Sequence, residues 1–120
     1  MEEVQINQID WGHSISRKLE ISAGNDLALI KSEVEHSQSQ LWRCQSFYNL
    51  AFVVTRIEHG ELVIVLFEGS GLNEFMPFFI KRAIELKLSI RAHVKRKGLL
   101  KMGRKLGFEL SEYVIRYQYG

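Results

Sequence analysis

Two periods of apolar residues meet near the end of this chain, and the change between them sets out a strand, a turn and a helix. Leu88, Ile90, Ala92 and Val94 alternate with Ser89, Arg91, His93 and Lys95, the two-residue period of a β-strand. From Leu99 the spacing lengthens, so that Leu99, Met102, Gly103 and Leu106 share one stripe of a helix. Gly107 then stands where a left-handed residue ends a helix, and Phe108 is placed to fold back onto Met102.

Earlier in the chain, Val4, Ile6 and Ile9 predict a short first strand, with Asp10 as an N-cap. Trp11, Ile15 and Leu19 recur at helical spacing and predict a helix to about Ser22. Ala23-Gly24-Asn25 breaks that pattern. Leu27, Ile30, Val34 and Leu41 line one face of a second helix, from Asn25 or Asp26 to about Trp42, which the polar run His36–Gln40 weakens. Phe47 to Glu58 is aromatic and β-branched and predicts a strand. His59-Gly60 is its tight turn, and Glu61 to Glu68 its hairpin partner. Within that partner, Leu62 to Phe67 is continuously apolar, as in a central strand covered on both faces. Gly69-Ser70-Gly71 ends it. Asn73 is positioned to cap a helix from Glu74 to Leu86 that buries Phe75, Phe78, Phe79, Ala83 and Leu86, with Pro77 close to its first turn. Tyr113 to Tyr117 predicts a last strand. The order is that of a mixed α/β (α+β) domain, 1–120, in which helices cover a largely antiparallel sheet and one strand–helix–strand crossover joins two strands.

Composition changes this picture little. A chain of 120 residues, 46% hydrophobic and 25% charged, suits one globular domain. No apolar run approaches the roughly 20 residues that span a bilayer. The acidic start Met1-Glu2-Glu3 is unlike a signal peptide, and with Cys44 as the only cysteine no internal disulfide forms. The expected compartment is the cytoplasm. Charge adds more. The net value is only +2, but residues 81 to 105 hold ten lysines and arginines against the single acid Glu85. Such a segment attracts phosphates of a cofactor, a nucleic acid or a membrane, or is a solvated helix face.

From Glu61 onward the order of elements resembles the Gcn5-related N-acetyltransferase (GNAT) family. The resemblance is carried by Gly69-Ser70-Gly71 at the start of a helix, by the strand Leu88–Lys95, and by the short helix ending in Gly107-Phe108. It is nearest to the short, divergent members found in bacteriophages. It implies a fold in which the central strand ends in a glycine loop that binds the pyrophosphate of acetyl-coenzyme A, while the next strand splays away. It also implies transfer of an acetyl group to an amine. The family often carries a tyrosine four residues before the Gly-Phe glycine, to protonate the leaving thiolate; that position is Gly103. A non-catalytic phage protein, using the same fold for binding or assembly in a host cytoplasm or a virion, is the alternative.

The candidate residues follow from both readings. Gly69, Ser70 and Gly71 offer backbone amides to a pyrophosphate, or simply make a strand-to-helix turn. The amide of Phe67 or a neighbour would polarise the thioester carbonyl. Glu68 and His93 are the candidate acid–base groups for the amine, with an exposed loop acid and a strand rim as their plain alternatives. Lys95, Arg96 and Lys97 would hold coenzyme phosphates or a nucleic-acid backbone. Tyr113 and Tyr117 would stack on bases or pack on the sheet, and Cys44 beside Arg43 would be an activated thiol or a buried one. His13, His36 and His59 have no ligand spacing, so no metal site is expected.

Overall fold

The computed structural model describes residues 3–93, 109–111 and 114–117. The predicted helix Leu99–Leu106, its Gly107-Phe108 end and Lys95, Arg96 and Lys97 lie outside them. The described elements run β1 (Gln5–Ile9), α1 (Ile15–Ala23), a 3-10 turn (Gly24–Asp26), α2 (Leu27–Glu35), β2 (Gln40–Gln45), β3 (Leu50–Glu58), β4 (Glu61–Gly69), α3 (Leu72–Glu85), β5 (Ser89–His93), β6 (Glu109–Ser111) and β7 (Val114–Tyr117). They form a seven-stranded sheet in the order β1-β2-β3-β4-β5-β7-β6. Every described pairing is antiparallel except β4 with β5. Those two strands are parallel because α3 carries the chain back across the sheet, as the crossover predicts. No helix among the described residues is long and apolar enough to cross a membrane.

The two faces have separate cores. On one face α3 buries Phe75, Met76, Phe79 and Ala83 against Trp42, Cys44, Val53, Leu62, Ile64 and Ile90. On the other, α1 and α2 bury Ile15, Leu19, Ala23 and Ile30 against Leu41, Phe52, Val54 and Leu66. Each fully buried aromatic or leucine contributes about 1.5–3 kcal/mol. The continuous apolar run in β4 follows from this double covering. The hairpin into β4 turns through His59 and Gly60, both at positive φ, as a two-residue β-turn requires.

Five sequence expectations are corrected. The second helix does not reach Trp42. It ends at Glu35, Ser37 takes a positive φ of 60° that no α-helix accommodates, and Gln40–Gln45 is strand β2. Leu41 lies seven residues beyond Val34 and eleven beyond Ile30, helical spacings, by coincidence. It faces α1 and α2 while Trp42 and Cys44 face α3, the alternation of a strand. The strand predicted from Phe47 starts only at Leu50. Helix α3 begins at Leu72 with Gly71, not Asn73, as its N-cap. Pro77 is therefore its sixth residue, and the Asn73 carbonyl lacks the usual donor four residues on. Of the α3 residues expected to be buried, Phe78 and Leu86 are exposed, because Met76 takes the inward position. Finally, β6 joins β7 at the sheet margin, where the sequence predicts a single strand.

Candidate functional site

Among the described residues, a gap in strand pairing lies between β4 and β5 beyond Ile64. Their ladder runs Glu61–Ser89, Leu62–Ile90, Val63–Arg91 and Ile64–Ala92, the last described pair. Strand β4 continues to Gly69 alongside β3, while β5 turns its other edge to β7. Among the described residues, the Val65–Gly69 edge of β4 facing β5 has no strand partner.

The gap begins at a β-bulge. Opposite β3 the register passes from Val54–Leu66 to Thr55–Ile64, which leaves Val65 as the extra residue. The packing registers the same event. Leu62 and Ile64 face α3, Val65 and Leu66 both face α1 and α2, and Phe67 faces α3 again. A bulge re-aims the local backbone and frees a peptide group from the ladder.

At its far end β4 turns into α3 through glycines that nothing else replaces. Gly69 has φ 127° and Gly71 φ 90°. A Cβ on Gly69 would lie 2.3 Å from the Leu50 carbonyl oxygen; on Gly71 it would lie 2.7 Å from Asn49 Cβ. The Ser70 amide donates to the Leu50 carbonyl (3.1 Å), and the amides of Glu74 and Phe75 donate to the Gly71 carbonyl (2.9 Å each). The amides of Leu72 and Asn73 find no acceptor among the described residues, as the first helical turn leaves its donors, and make an anion-favouring end. The donors available to an anion therefore sit beyond Ser70.

The Ser46–Asn49 turn is bound to this helix start. The Ser46 amide donates to the Asn49 carbonyl (2.9 Å), and the Asn49 amide to Ser46 Oγ (3.2 Å). Ser46 Oγ and Asn49 Nδ2 both donate to Glu74 Oε1. Sequence reasoning missed this arrangement, because it placed Phe47 and Tyr48 in a strand.

Glu68 pairs in the sheet with Phe52 on the α1–α2 face and is half-buried. His93 is placed by its backbone, one residue beyond the last β4–β5 pair and opposite Val114. Glu68 stands four positions past Ile64 and His93 one past Ala92. At about 3.3 Å per residue the two lie roughly 10 Å apart along the strands, so the fold does not bring them together. Arg91, on the polar side of β5, is engaged: Nη2 donates to Glu58 (2.9 Å) and Nη1 is 3.9 Å from Glu61. Arg56 completes the group, 2.7 Å from Glu58 and 3.3 Å from Glu33 of α2. The hydrogen bond from Arg91 holds the Glu58 carboxyl below its usual range, with the charge of Arg56 adding and desolvation opposing. Its contribution to stability is present above the ordinary carboxylate range and is lost as pH falls through the lowered value.

Beside the bulge lies a cleft of about 260 Å³ between α1, α2 and β4, lined by Ser22, Asp26, Glu33, Arg56, Val65 and Leu66 among others. A second recess, of about 390 Å³, lies between β1, β2 and the end of α2. It is on the other side of the sheet order from the gap, so the first cleft is the one that reaches the site.

Cys44 takes no part. It is fully buried against α3, and burial pushes its thiol up from 9.0 to about 12. Native protein at pH 8 is expected to leave a thiol-exchange dye unreacted, and to give one equivalent on unfolding. Fast labelling of the native state would show that β2 opens locally. Because the folded value is raised, this contribution is present below pH 9 and is lost as pH rises toward 12.

No family model and no curated protein matches this sequence. Solved structures do match. The chain is similar to a Bacillus subtilis acetyltransferase in complex with CoA (TM-score 0.67, 13% identity, 91% of this chain and 78% of that one). It is also similar to the PaiA N-acetyltransferase of Thermoplasma acidophilum in complex with coenzyme A (0.66, 10%, 98% and 99%). A third is a GNAT family acetyltransferase from Elizabethkingia anophelis with acetyl-CoA bound (0.58, 16%, 91% and 78%). The chain has the fold of the GNAT acetyltransferases. At these identities the likeness speaks for fold.

Proposed function

We propose that this protein binds acetyl-coenzyme A in the gap between β4 and β5 and transfers its acetyl group to an amine. The observation that carries the reading is the coincidence of three features on one strand: a bulge at Val65, an edge beyond Ile64 with no strand partner among the described residues, and a glycine loop feeding a helix start. That β4 edge suits the amide groups of a pantetheine arm, which would lie against it as a further strand does. The Leu72 and Asn73 amides, with the Gly71 amide, suit the pyrophosphate. Lys95, Arg96 and Lys97 are its proposed side-chain partners.

The bound thioester supplies an activated acyl carbon. An amide freed by the bulge, from Val65 to Phe67, is proposed to donate to its carbonyl oxygen and to stabilise the charge that grows there as the amine adds. The amine would enter through the cleft that Asp26 and Glu33 line, where carboxylates favour its cationic form until Glu68 or His93 removes the proton. The new C–N bond replaces the C–S bond, and the thiolate takes a proton. The tyrosine the family uses for that is absent at Gly103, so solvent or another donor has to serve.

Thermal melting with coenzyme A tests the reading. At a hundredfold excess over its dissociation constant, ligand bound to the native state alone stabilises it by about 2.7 kcal/mol. In 120 residues this appears as a rise of several degrees. A melting curve that millimolar coenzyme A leaves unmoved would leave the fold serving a non-catalytic role.

A further inference from the structure

The tip of the β2–β3 turn presents two aromatic side chains to solvent. Phe47 is 79% and Tyr48 76% exposed, and their rings meet edge to face with centroids 4.8 Å apart. Large aromatic side chains ordinarily bury most of their surface. Here two successive ones are held outward on a turn that is anything but loose. It is closed by the Ser46–Asn49 hydrogen bonds and tied to Glu74 in the first turn of α3. The tip also adjoins the anion end of the site. Asn49 packs so closely on Gly71 that a Cβ there would clash with it. Tyr48 and Phe47 precede Asn49 by one and two residues, within about 7 Å of it along the backbone.

We infer that Phe47 and Tyr48 form a stacking platform for the purine base of the coenzyme, which hangs one sugar away from the pyrophosphate. This rests on the proposed function. An anion site flanked by exposed ring faces matches the chemistry of a nucleotide: phosphate on backbone amides, base on aromatic faces. An edge-to-face pair leaves ring faces uncovered for a base, and stacking makes no demand on the base's hydrogen-bonding edge. The tethered turn supplies the preorganisation, because its rings are held beside the helix start before ligand arrives.

Calorimetric titration of two probes separates this from its alternatives: coenzyme A, and pantetheine 4′-phosphate, which has the arm and a phosphate but no nucleoside. The wild-type chain is expected to bind coenzyme A more tightly than the shorter probe. The double variant Phe47→Ala with Tyr48→Ala is expected to lose about tenfold or more for coenzyme A, the order of one stacked base, and to keep its affinity for pantetheine 4′-phosphate. Tyr48→Trp keeps a ring and should hold the wild-type value. Since both side chains are exposed, the variants should melt with the wild type. Equal loss for both probes would mean that the turn only supports the helix start, and overturns the platform. Unchanged coenzyme A affinity overturns it too, as does a platform whose removal abolishes self-association alone. If the wild-type chain binds neither probe, the proposed function itself fails. If it binds both equally, only the platform does.

Discussion

Replacing Gly69 with alanine should destabilise the protein by about 3 kcal/mol and lower its melting temperature by roughly 10 °C. Two independent effects converge there. The φ of 127° is one that residues with a Cβ rarely adopt. The added carbon would also meet backbone rather than a pliable side chain: 2.3 Å from the Leu50 carbonyl oxygen and 2.7 Å from Ala51 Cα. Relief requires β3 and β4 to part at their last pair, Ala51–Gly69, which also disturbs the Ser70–Leu50 hydrogen bond and the start of α3. Gly60 is the internal control. It too has positive φ, but a Cβ there meets nothing within 4 Å, so Gly60→Ala should cost only about 1 kcal/mol. Equal losses at the two positions, by chemical denaturation, would show that the loop yields and that Gly69 is not held by its neighbours.

Truncating Phe79 to alanine should be as damaging, at about 3–5 kcal/mol. The ring is completely buried and meets Trp42 and Phe78 edge to face, with centroids 5.8 and 5.1 Å away. Trp42 is itself fixed, since its Nε1 donates to Thr55 Oγ1 at 2.8 Å. It cannot swing into the vacated volume without giving up that buried hydrogen bond. The expected signature is a lower denaturant midpoint with an unchanged slope. A loss below about 2 kcal/mol would mean that α3 settles onto the sheet and fills the space.

These positions also show what could be read from residues alone. The central strand, its parallel neighbour and the crossover helix were legible because β4 is buried on both faces and β5 alternates, patterns that local spacing records. The glycine loop was legible as a turn. Strand β2 was hidden, since Leu41 and Trp42 face opposite cores and imitate the end of a helix. The bulge at Val65 leaves no mark within Leu62–Phe67, where every residue is apolar; only the register against β3 reveals it. The cleft lined by Asp26 and Glu33 was equally hidden, for its walls come from α1, α2, β3 and β4. Arg91 belongs to the charged face of β5, and a charged strand face needs a reason. Its reason is the ion-pair group with Glu58, Glu61 and Arg56.

The strand order has a consequence for how the protein is made. Strands β1 to β4 follow one another as neighbours, apart from the two helices between β1 and β2, and can assemble as the chain emerges. Strand β5 can then add to β4 as soon as α3 is complete. Its second edge has to wait, because the strand that covers it is β7, which comes later in the chain. During synthesis the growing sheet therefore carries an open β5 edge until β7 has been made. A ribosome stalled before β7 emerges would hold a sheet with one sticky side, the state in which chaperone capture and edge-to-edge aggregation compete most directly with folding.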